Sequence, residues 1–180
     1  MKAKLLLLTN VFLFLLATLL LAACQTSFWL QIFGYFPPPA LWIPVLVYVA
    51  LFRSTMTAIV MSHLIAIALA TSTAMPEGLM MVTCLAVALS VQVFKTRFYW
   101  TATTYFMLVC GLATLVFHIY HFAASWVLDD QPLTSPAISS WIIQSLLTPL
   151  FAPLLFPVFR WFDQITQRTE PPEITGAYSA

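Results

Sequence analysis

The chain has 180 residues, of which 62% are hydrophobic and only 7% are charged, and its formal net charge is +1. Because a soluble globular domain carries about 25% charged residues, this composition excludes a water-soluble protein and predicts an integral membrane protein. The small net charge also provides no basic surface for nucleic acid. The three cysteines, Cys24, Cys84 and Cys110, lie in apolar stretches, which is typical of helix packing rather than of a disulfide framework.

Six apolar segments are predicted to be membrane-spanning helices, because about 20 apolar residues cross the hydrocarbon core of a bilayer. They cover residues 5–24, 40–52, 55–70, 79–94, 99–128 and 137–159. The second and third segments are short, so they need flanking residues or a locally thin bilayer. We therefore predict an all-α polytopic membrane protein, with a transmembrane domain over residues 1–162 and a polar, disordered cytoplasmic tail over residues 163–180.

The end of the first segment, LLAACQ, matches a lipobox, in which signal cleavage would leave Cys24 lipidated. Lys2 and Lys4 supply the positive charge that precedes such a signal. The apolar run over residues 5–23 is, however, longer than the usual hydrophobic core of a signal peptide, and another hydrophobic segment follows it instead of a polar tether. The sequence therefore favours a retained first span.

Charged residues segregate between the two sets of connections that join the predicted spans. One set receives all seven basic residues, namely Lys2, Lys4, Arg53, Lys95, Arg97, Arg160 and Arg168. The other set receives Glu77, Asp129 and Asp130. Since basic residues accumulate on the cytoplasmic side of membrane proteins, the pattern predicts that both termini are cytoplasmic and that the acidic connections are outside.

The first outer connection, SFWLQIFGYFPPPA, is strongly aromatic and ends in three prolines. Proline interrupts helices, and aromatic rings favour the headgroup level, so we predict a loop on the membrane surface. Its candidate partner-contact residues are Phe28, Trp29, Phe33, Tyr35 and Phe36. In the second outer connection, TAMPEGLM, Pro76 and Gly78 are assigned to a tight turn.

Two residue patterns repeat every fourth position. In the third span the small residues Ser62, Ala66, Ala70 and Ala74 form a stripe that lets another helix approach closely. This stripe serves either packing inside the protein or contact with a partner, and the sequence leaves both open. In the sixth span Pro149, Pro153 and Pro157 predict a bent or partly unwound helix.

Three histidines are the candidates for a polar pocket. His118 and His121 share one face of the fifth span, but two imidazoles need further ligands to hold a metal. The alternative is that both lie near the outer interface, because this span is overlong. His63 lies deeper, in the third span, and is a candidate buried polar group. No nucleophile, base and acid occur together, so we predict no catalytic residue, metal or cofactor, and hence a protein that is not an enzyme.

Several stretches resemble the rod-shape-determining protein family MreD. The stretch QTSFWLQIFGYFPPPALWIPVLVYVALF is similar to the family's Gln-Thr, short loop, proline and apolar span. The turn STAMPEG is similar to the family's Ser-Gly-Ser-Pro-x-Gly element, with Pro76 and Gly78 matching. The ending LLFPVFRWFDQIT is similar to the family's closing proline, apolar pair and basic residue. One departure is Ala70, which stands where the family often carries an aspartate.

The resemblance implies a non-enzymatic scaffold subunit of the bacterial cell-elongation machinery in the cytoplasmic membrane. Such a subunit binds an MreC-like bitopic protein and helps couple a cytoskeletal filament to peptidoglycan synthesis by a SEDS polymerase and a penicillin-binding transpeptidase. The resemblance also implies a six-helix bundle like that of the substrate-binding subunits of energy-coupling-factor vitamin transporters. That transporter function is the alternative, since a fold does not decide a function, and it predicts an outward-facing pocket near His118, His121 and Trp126.

Overall fold

The regular secondary structure of the protein is entirely helical in the residues that its computed structural model describes, which are 2–73, 75–95, 102–129, 134–135 and 137–167. The helices are α1 (Lys2–Ala23), α2 (Trp29–Phe33), α3 (Ile43–Phe52), α4 (Thr55–Ser72), α5 (Glu77–Lys95), α6 (Ala102–Leu128) and α7 (Ile138–Ile165). Within these ranges there is no β-strand.

Helices α1 and α2 are parts of one continuous helix, joined by a π-helical turn over Cys24–Phe28. We call Lys2–Phe33 the first helix. The first helix ends at Gly34, whose φ is 60°. Glycine adopts this backbone angle readily because it has no Cβ atom. The first helix therefore continues beyond its predicted end at residue 24, and the predicted surface loop is reduced to the residues between Gly34 and α3.

Within the described part of the chain, four helices are long and apolar enough to cross a membrane, namely Leu5–Phe33, Glu77–Lys95, Thr103–Leu128 and Ile138–Ile165. Helices α3 and α4 contain shorter apolar segments, Ile43–Phe52 and Thr55–Ala70. All residues of α3 are buried, which is typical of a core helix of this length. Helices α1, α4, α5, α6 and α7 all pack against α3, so α3 is the centre of the bundle.

The two ends of the bundle differ in charge. At the basic end, the Lys95 ammonium donates to the Arg53 carbonyl oxygen at 3.5 Å, which joins α5 to the connection after α3. At the acidic end, Glu77 begins α5 and Asp129 follows α6. The start of α3 is tied to α7 near this end by a 3.0 Å hydrogen bond from the Ala40 amide to Thr148 Oγ1.

The predicted tail boundary at residue 163 differs from the structure, because α7 continues to Ile165. Asp163 and Thr166 are both buried. Helix α7 also retains helical structure through Pro149, Pro153 and Pro157, so the prolines leave it unbroken. Residues 168–180, which include the rest of the predicted tail, lie outside the described residues.

Gly111 allows α6 to pack closely against α7. A Cβ atom at this position would lie 3.0 Å from the Ser145 carbonyl oxygen and 3.3 Å from Pro149 Cγ. Because proline has no amide hydrogen, Pro149 leaves the Ser145 carbonyl without its usual helical donor. The glycine therefore lets α6 approach the point on α7 where that carbonyl is accessible.

We expect Gly111→Ala to lower the free energy of unfolding by about 1–3 kcal/mol, since the added methyl group overpacks this contact. The measurement is denaturant unfolding in mild detergent micelles, followed by tryptophan fluorescence. Gly78→Ala is the matched control, because a Cβ atom there meets no atom within 4 Å. Equal effects of the two substitutions would contradict the close contact.

Candidate functional site

The small-residue stripe of the third predicted span lies mainly inside the bundle. Ser62 and Ala66 are fully buried, and Ala70 is half-buried. Ala74 lies outside the described residues. The neighbouring helices of the chain already cover Ser62 and Ala66, which favours packing inside the protein over contact with a partner at these two residues. Their small size instead suits the packing of α4 against α1 and α5.

The aromatic residues predicted for the surface loop lie at the acidic end, on the last turns of the first helix and just after it. Phe28, Phe33, Tyr35 and Phe36 are exposed, and we call these four residues the aromatic patch. Trp29 is half-buried beside them and holds the patch together. Its Nε1 donates to the Phe36 carbonyl oxygen at 3.1 Å, and its ring centroid is 4.3 Å from that of Phe33.

The predicted tight turn around Pro76 and Gly78 is shorter than expected. Pro76 directly precedes α5, and its carbonyl oxygen accepts a 3.1 Å hydrogen bond from the Met80 amide. Gly78 lies within the first turn of α5. Gly34, not Gly78, is the glycine that takes a positive φ among the described residues.

A buried ion pair between Arg53 and Asp163 lies at the basic end, and the sequence analysis did not predict it. Tyr48 Oη donates to Asp163 Oδ2 at 2.8 Å. Asn10 Nδ2 donates to Asp163 Oδ1 at 3.0 Å and to Thr166 Oγ1 at 2.8 Å. We call Asn10, Tyr48, Arg53, Asp163 and Thr166 the polar cluster.

The polar cluster connects the first helix, α3 and α7. Arg53 and Asp163 are 6% and 3% exposed, so both charges are compensated inside the protein rather than by water. The sequence analysis had placed Arg53 in a cytoplasmic connection between two apolar segments and Asp163 at the start of the polar tail, both in contact with water. One feature of the sequence did indicate a polar contact here. Asn10 interrupts the first apolar span, and a polar side chain inside a span needs a hydrogen-bonding partner.

At the acidic end the helices line a partly open cavity of about 180 Å³. Each of the six predicted spans or its flanking residues contributes to the lining. The lining residues are Ala22, Gln25, Thr26, Ala40, Trp42, Leu69, Thr73, Met75, Met80, Phe117, His118 and Gln144. None of these residues is Asp, Glu, Lys or Arg, so within the described part of the chain the cavity has polar groups but no full charge.

Two hydrogen-bonding atoms of lining residues have no partner among the described residues, and both are buried and therefore not exposed to the cavity. They are Gln25 Oε1 and His118 Nε2, and His121 Nδ1, one turn further along α6, is in the same state. Such atoms are uncommon in folded proteins. The His118 ring is held in place by stacking on Trp141, at a centroid distance of 5.6 Å and an interplanar angle of 2°.

The structure separates the three histidines that the sequence grouped as a polar pocket. His118 lines the cavity and His121 lies next to it, stacked on Phe117. His63 lies elsewhere, half-buried on α4, with Nδ1 2.8 Å from the Ile59 carbonyl oxygen of its own helix. Trp126 is exposed rather than in the lining. Among the residues that the structure describes, no group of three His, Cys, Asp or Glu side chains is placed to hold a metal ion.

Gln25 and Gln144 are cavity residues that the sequence did not single out. The sequence indicated either residue only weakly, because each is one polar residue near the end of an apolar segment, where water is a sufficient partner.

Comparison of the chain with protein-family models, with curated proteins and with solved structures finds no match.

Proposed function

We propose that the protein is an MreD-like scaffold subunit of the bacterial cell-elongation machinery, crossing the cytoplasmic membrane six times with both termini inside. The resemblance of its sequence motifs to MreD supports this family. The segregation of basic residues supports the orientation, with the acidic end outside. In this proposal α3 and α4 supply the second and third crossings, which is supported by the position of Trp42 at the cavity and of Arg53 in the polar cluster at the other end of α3.

The observation that carries the scaffold function is the aromatic patch on the extended first helix. The apolar part of this helix, Leu5–Phe33, has 29 residues, which correspond to a length of about 43 Å. Even at the average tilt of about 20°, the helix extends about 41 Å along the membrane normal, whereas the hydrocarbon core of the bilayer is about 30 Å thick. The patch therefore lies at or beyond the outer headgroups, where a cluster of exposed apolar side chains is typical of a protein contact.

A ridge of exposed side chains leads along the first helix toward the patch. It consists of Leu8, Phe12, Leu16 and Leu20, all exposed in the bundle. Side chains at every fourth residue form the ridges that fit into the grooves of another helix. A bitopic MreC-like protein has the matching form, with one membrane span to lie along this ridge and an outer domain to cover the patch.

We expect the combined substitution of Phe28, Phe33 and Phe36 by alanine to reduce recovery of the MreC-like partner at least about tenfold, because aromatic side chains dominate protein contacts. The protein is tagged at its C-terminus and purified from native membranes in mild detergent, and co-purifying proteins are quantified by mass spectrometry. The wild-type protein should also recover a SEDS polymerase and a penicillin-binding transpeptidase.

The matched control replaces Leu146, Leu150 and Leu154, three exposed residues of α7, by alanine. It removes a similar number of apolar side chains from another helix and should leave recovery unchanged. Equal loss in both variants would argue against the patch as the contact. Failure of the wild-type protein to recover any cell-wall synthesis protein would overturn the scaffold function.

A second candidate function is favoured by the cavity. A membrane subunit that binds a small molecule for an energy-coupling-factor-type transporter needs a pocket open toward the outside, and the cavity lies at the end assigned to that side. In the same purification this function predicts recovery of ATPase and transmembrane coupling subunits instead of cell-wall synthases.

A further inference from the structure

We propose that a groove between α5 and α6 binds one acyl chain of an anionic phospholipid, whose phosphate group lies beside Lys95 at the basic end of the bundle. The groove is separate from the cavity at the acidic end. This inference goes beyond the scaffold function. It needs only that α5 and α6 cross the membrane, for which both helices are long and apolar enough.

The shape of the groove suits a slender, flexible chain. Its floor consists of four residues that are at most 4% exposed, namely Val87, Val91, Val109 and Ala113. Its rim includes three exposed residues, namely Phe94, Leu108 and Leu112. The groove is partly open and has a volume of about 130 Å³. An acyl chain is therefore able to lie along it while the rest of the lipid stays in the bilayer.

The depth of the groove matches that of one leaflet. The α6 wall of the groove extends from Tyr105 near the basic end to Val116, which corresponds to about 16 Å along the helix axis. Half of the hydrocarbon core of a bilayer is about 15 Å thick. The groove therefore covers the depth at which the acyl chains of the leaflet next to the basic end lie.

The groove offers hydrocarbon surface and no hydrogen-bonding group that lacks a partner. Ser90 and Tyr105 are its two polar residues in the described part of the chain. The Ser90 hydroxyl donates to the Ala86 carbonyl oxygen at 2.8 Å, and the Tyr105 hydroxyl donates to the Phe94 carbonyl oxygen at 3.2 Å. An occupant therefore needs no polar group along the groove, which favours an acyl chain over a polar solute.

A second helix suits the groove less well than an acyl chain does. Helices approach each other closely in membranes where both present small residues. Among the described lining residues, Ser90 and Ala113 are small, and the other eight are valine, leucine, phenylalanine or tyrosine.

Positive charge at the basic end determines which headgroup is favoured. Lys95 directly follows Phe94 of the groove, and its ammonium donates to the Arg53 carbonyl oxygen at 3.5 Å. That oxygen is neutral, so this contact does not remove the positive charge. Basic residues at the end of a groove between membrane helices attract anionic lipid headgroups. The acyl chain and the phosphate group are thus recognised at neighbouring positions.

Native mass spectrometry of the delipidated full-length protein in detergent tests the site. The probes are dioleoylphosphatidylglycerol, which is anionic, and dioleoylphosphatidylcholine, which has the same chains but no net charge. We expect one saturable site per chain that binds the anionic lipid at least about fivefold more tightly. Because the measurement uses no partner protein, its failure is distinguishable from a failure of the scaffold function.

Two variants locate the binding. Val116→Phe places a larger side chain in the groove, so it should weaken binding of both lipids about fivefold through lost contacts with the acyl chain. Lys95→Gln should abolish the preference for the anionic lipid. Val82→Phe is the matched control for the first variant, because Val82 is an exposed residue of α5 that does not line the groove. It should bind both lipids as the wild type does.

Three results would overturn the proposal. These are the absence of a saturable site, an unchanged lipid preference in Lys95→Gln, and equal effects of Val116→Phe and Val82→Phe. The first would mean that bulk lipid or a partner helix covers the groove instead of one bound phospholipid. A thermal unfolding transition recorded for each variant confirms that binding is measured on folded protein.

Discussion

Replacement of Asp163 by alanine is expected to lower the free energy of unfolding by about 3–5 kcal/mol, the usual cost of removing one member of a buried ion pair. The substitution leaves the Arg53 guanidinium buried without a counter-ion. It also removes the acceptor for Tyr48 Oη and one of the two acceptors for Asn10 Nδ2. The first helix, α3 and α7 then lose their common connection at the basic end.

Denaturant unfolding in detergent micelles measures this effect, and two further variants define its cause. Glu77→Ala removes an exposed acid, so it should change stability by no more than about 0.5 kcal/mol. The double substitution Arg53→Met and Asp163→Leu removes both charges, and it should recover most of the lost stability, since a buried pair is replaceable by apolar residues. A double variant that is no more stable than Asp163→Ala would contradict this explanation.

Tyr48→Ala is the second substitution with a large expected effect, about 3–5 kcal/mol, which is typical of deleting a buried aromatic side chain. Tyr48 is fully buried at the centre of the bundle. Its ring centroid lies 5.6 Å from that of Phe14, 5.3 Å from that of Phe159 and 4.7 Å from that of Phe52. The substitution would therefore leave a cavity between the first helix, α3 and α7.

Tyr48→Phe separates the ring from the hydroxyl group. It retains the packing and removes only the hydrogen bond to Asp163 Oδ2, so the expected loss is about 1–3 kcal/mol. Tyr35→Ala is the control, because Tyr35 is fully exposed in the aromatic patch, and stability should change little. If Tyr48→Ala and Tyr48→Phe were equally destabilising, packing around the ring would not be the main contribution.

The sequence predicted the long helices well because their boundaries coincide with changes in hydrophobicity. The fourth predicted span, residues 79–94, corresponds to α5 over Glu77–Lys95, and the fifth, residues 99–128, corresponds to α6 over Ala102–Leu128. The end of the first helix was less predictable. The prolines at positions 37–39 were taken to mark a loop from residue 27 onward, but they affect only the chain after Gly34.

The candidate sites were less predictable than the helices, because each depends on residues far apart in the chain. Arg53 and Asp163 are separated by 110 positions, and each follows a long apolar stretch, which is also the pattern of a residue at the membrane edge. His118 was recognised from its position in an apolar span. Its relation to Gln25 and Gln144 depends on how the helices pack, which no local pattern in the sequence specifies.

The most direct test of the account is the accessibility of two introduced cysteines, because both functional proposals depend on six crossings with the acidic end outside. The variants are Ser54→Cys, between α3 and α4, and Met75→Cys, between α4 and α5, each made with Cys24 replaced by serine. Both positions are exposed, while Cys84 and Cys110 are buried. The reagent is a membrane-impermeant maleimide applied to spheroplasts.

Six crossings predict that Met75→Cys reacts in intact spheroplasts and that Ser54→Cys reacts only after the membrane is permeabilised. Reaction of Ser54→Cys in intact spheroplasts would contradict the orientation. Failure of Ser54→Cys to react under either condition would mean that α3 and α4 enter the membrane and return without crossing it.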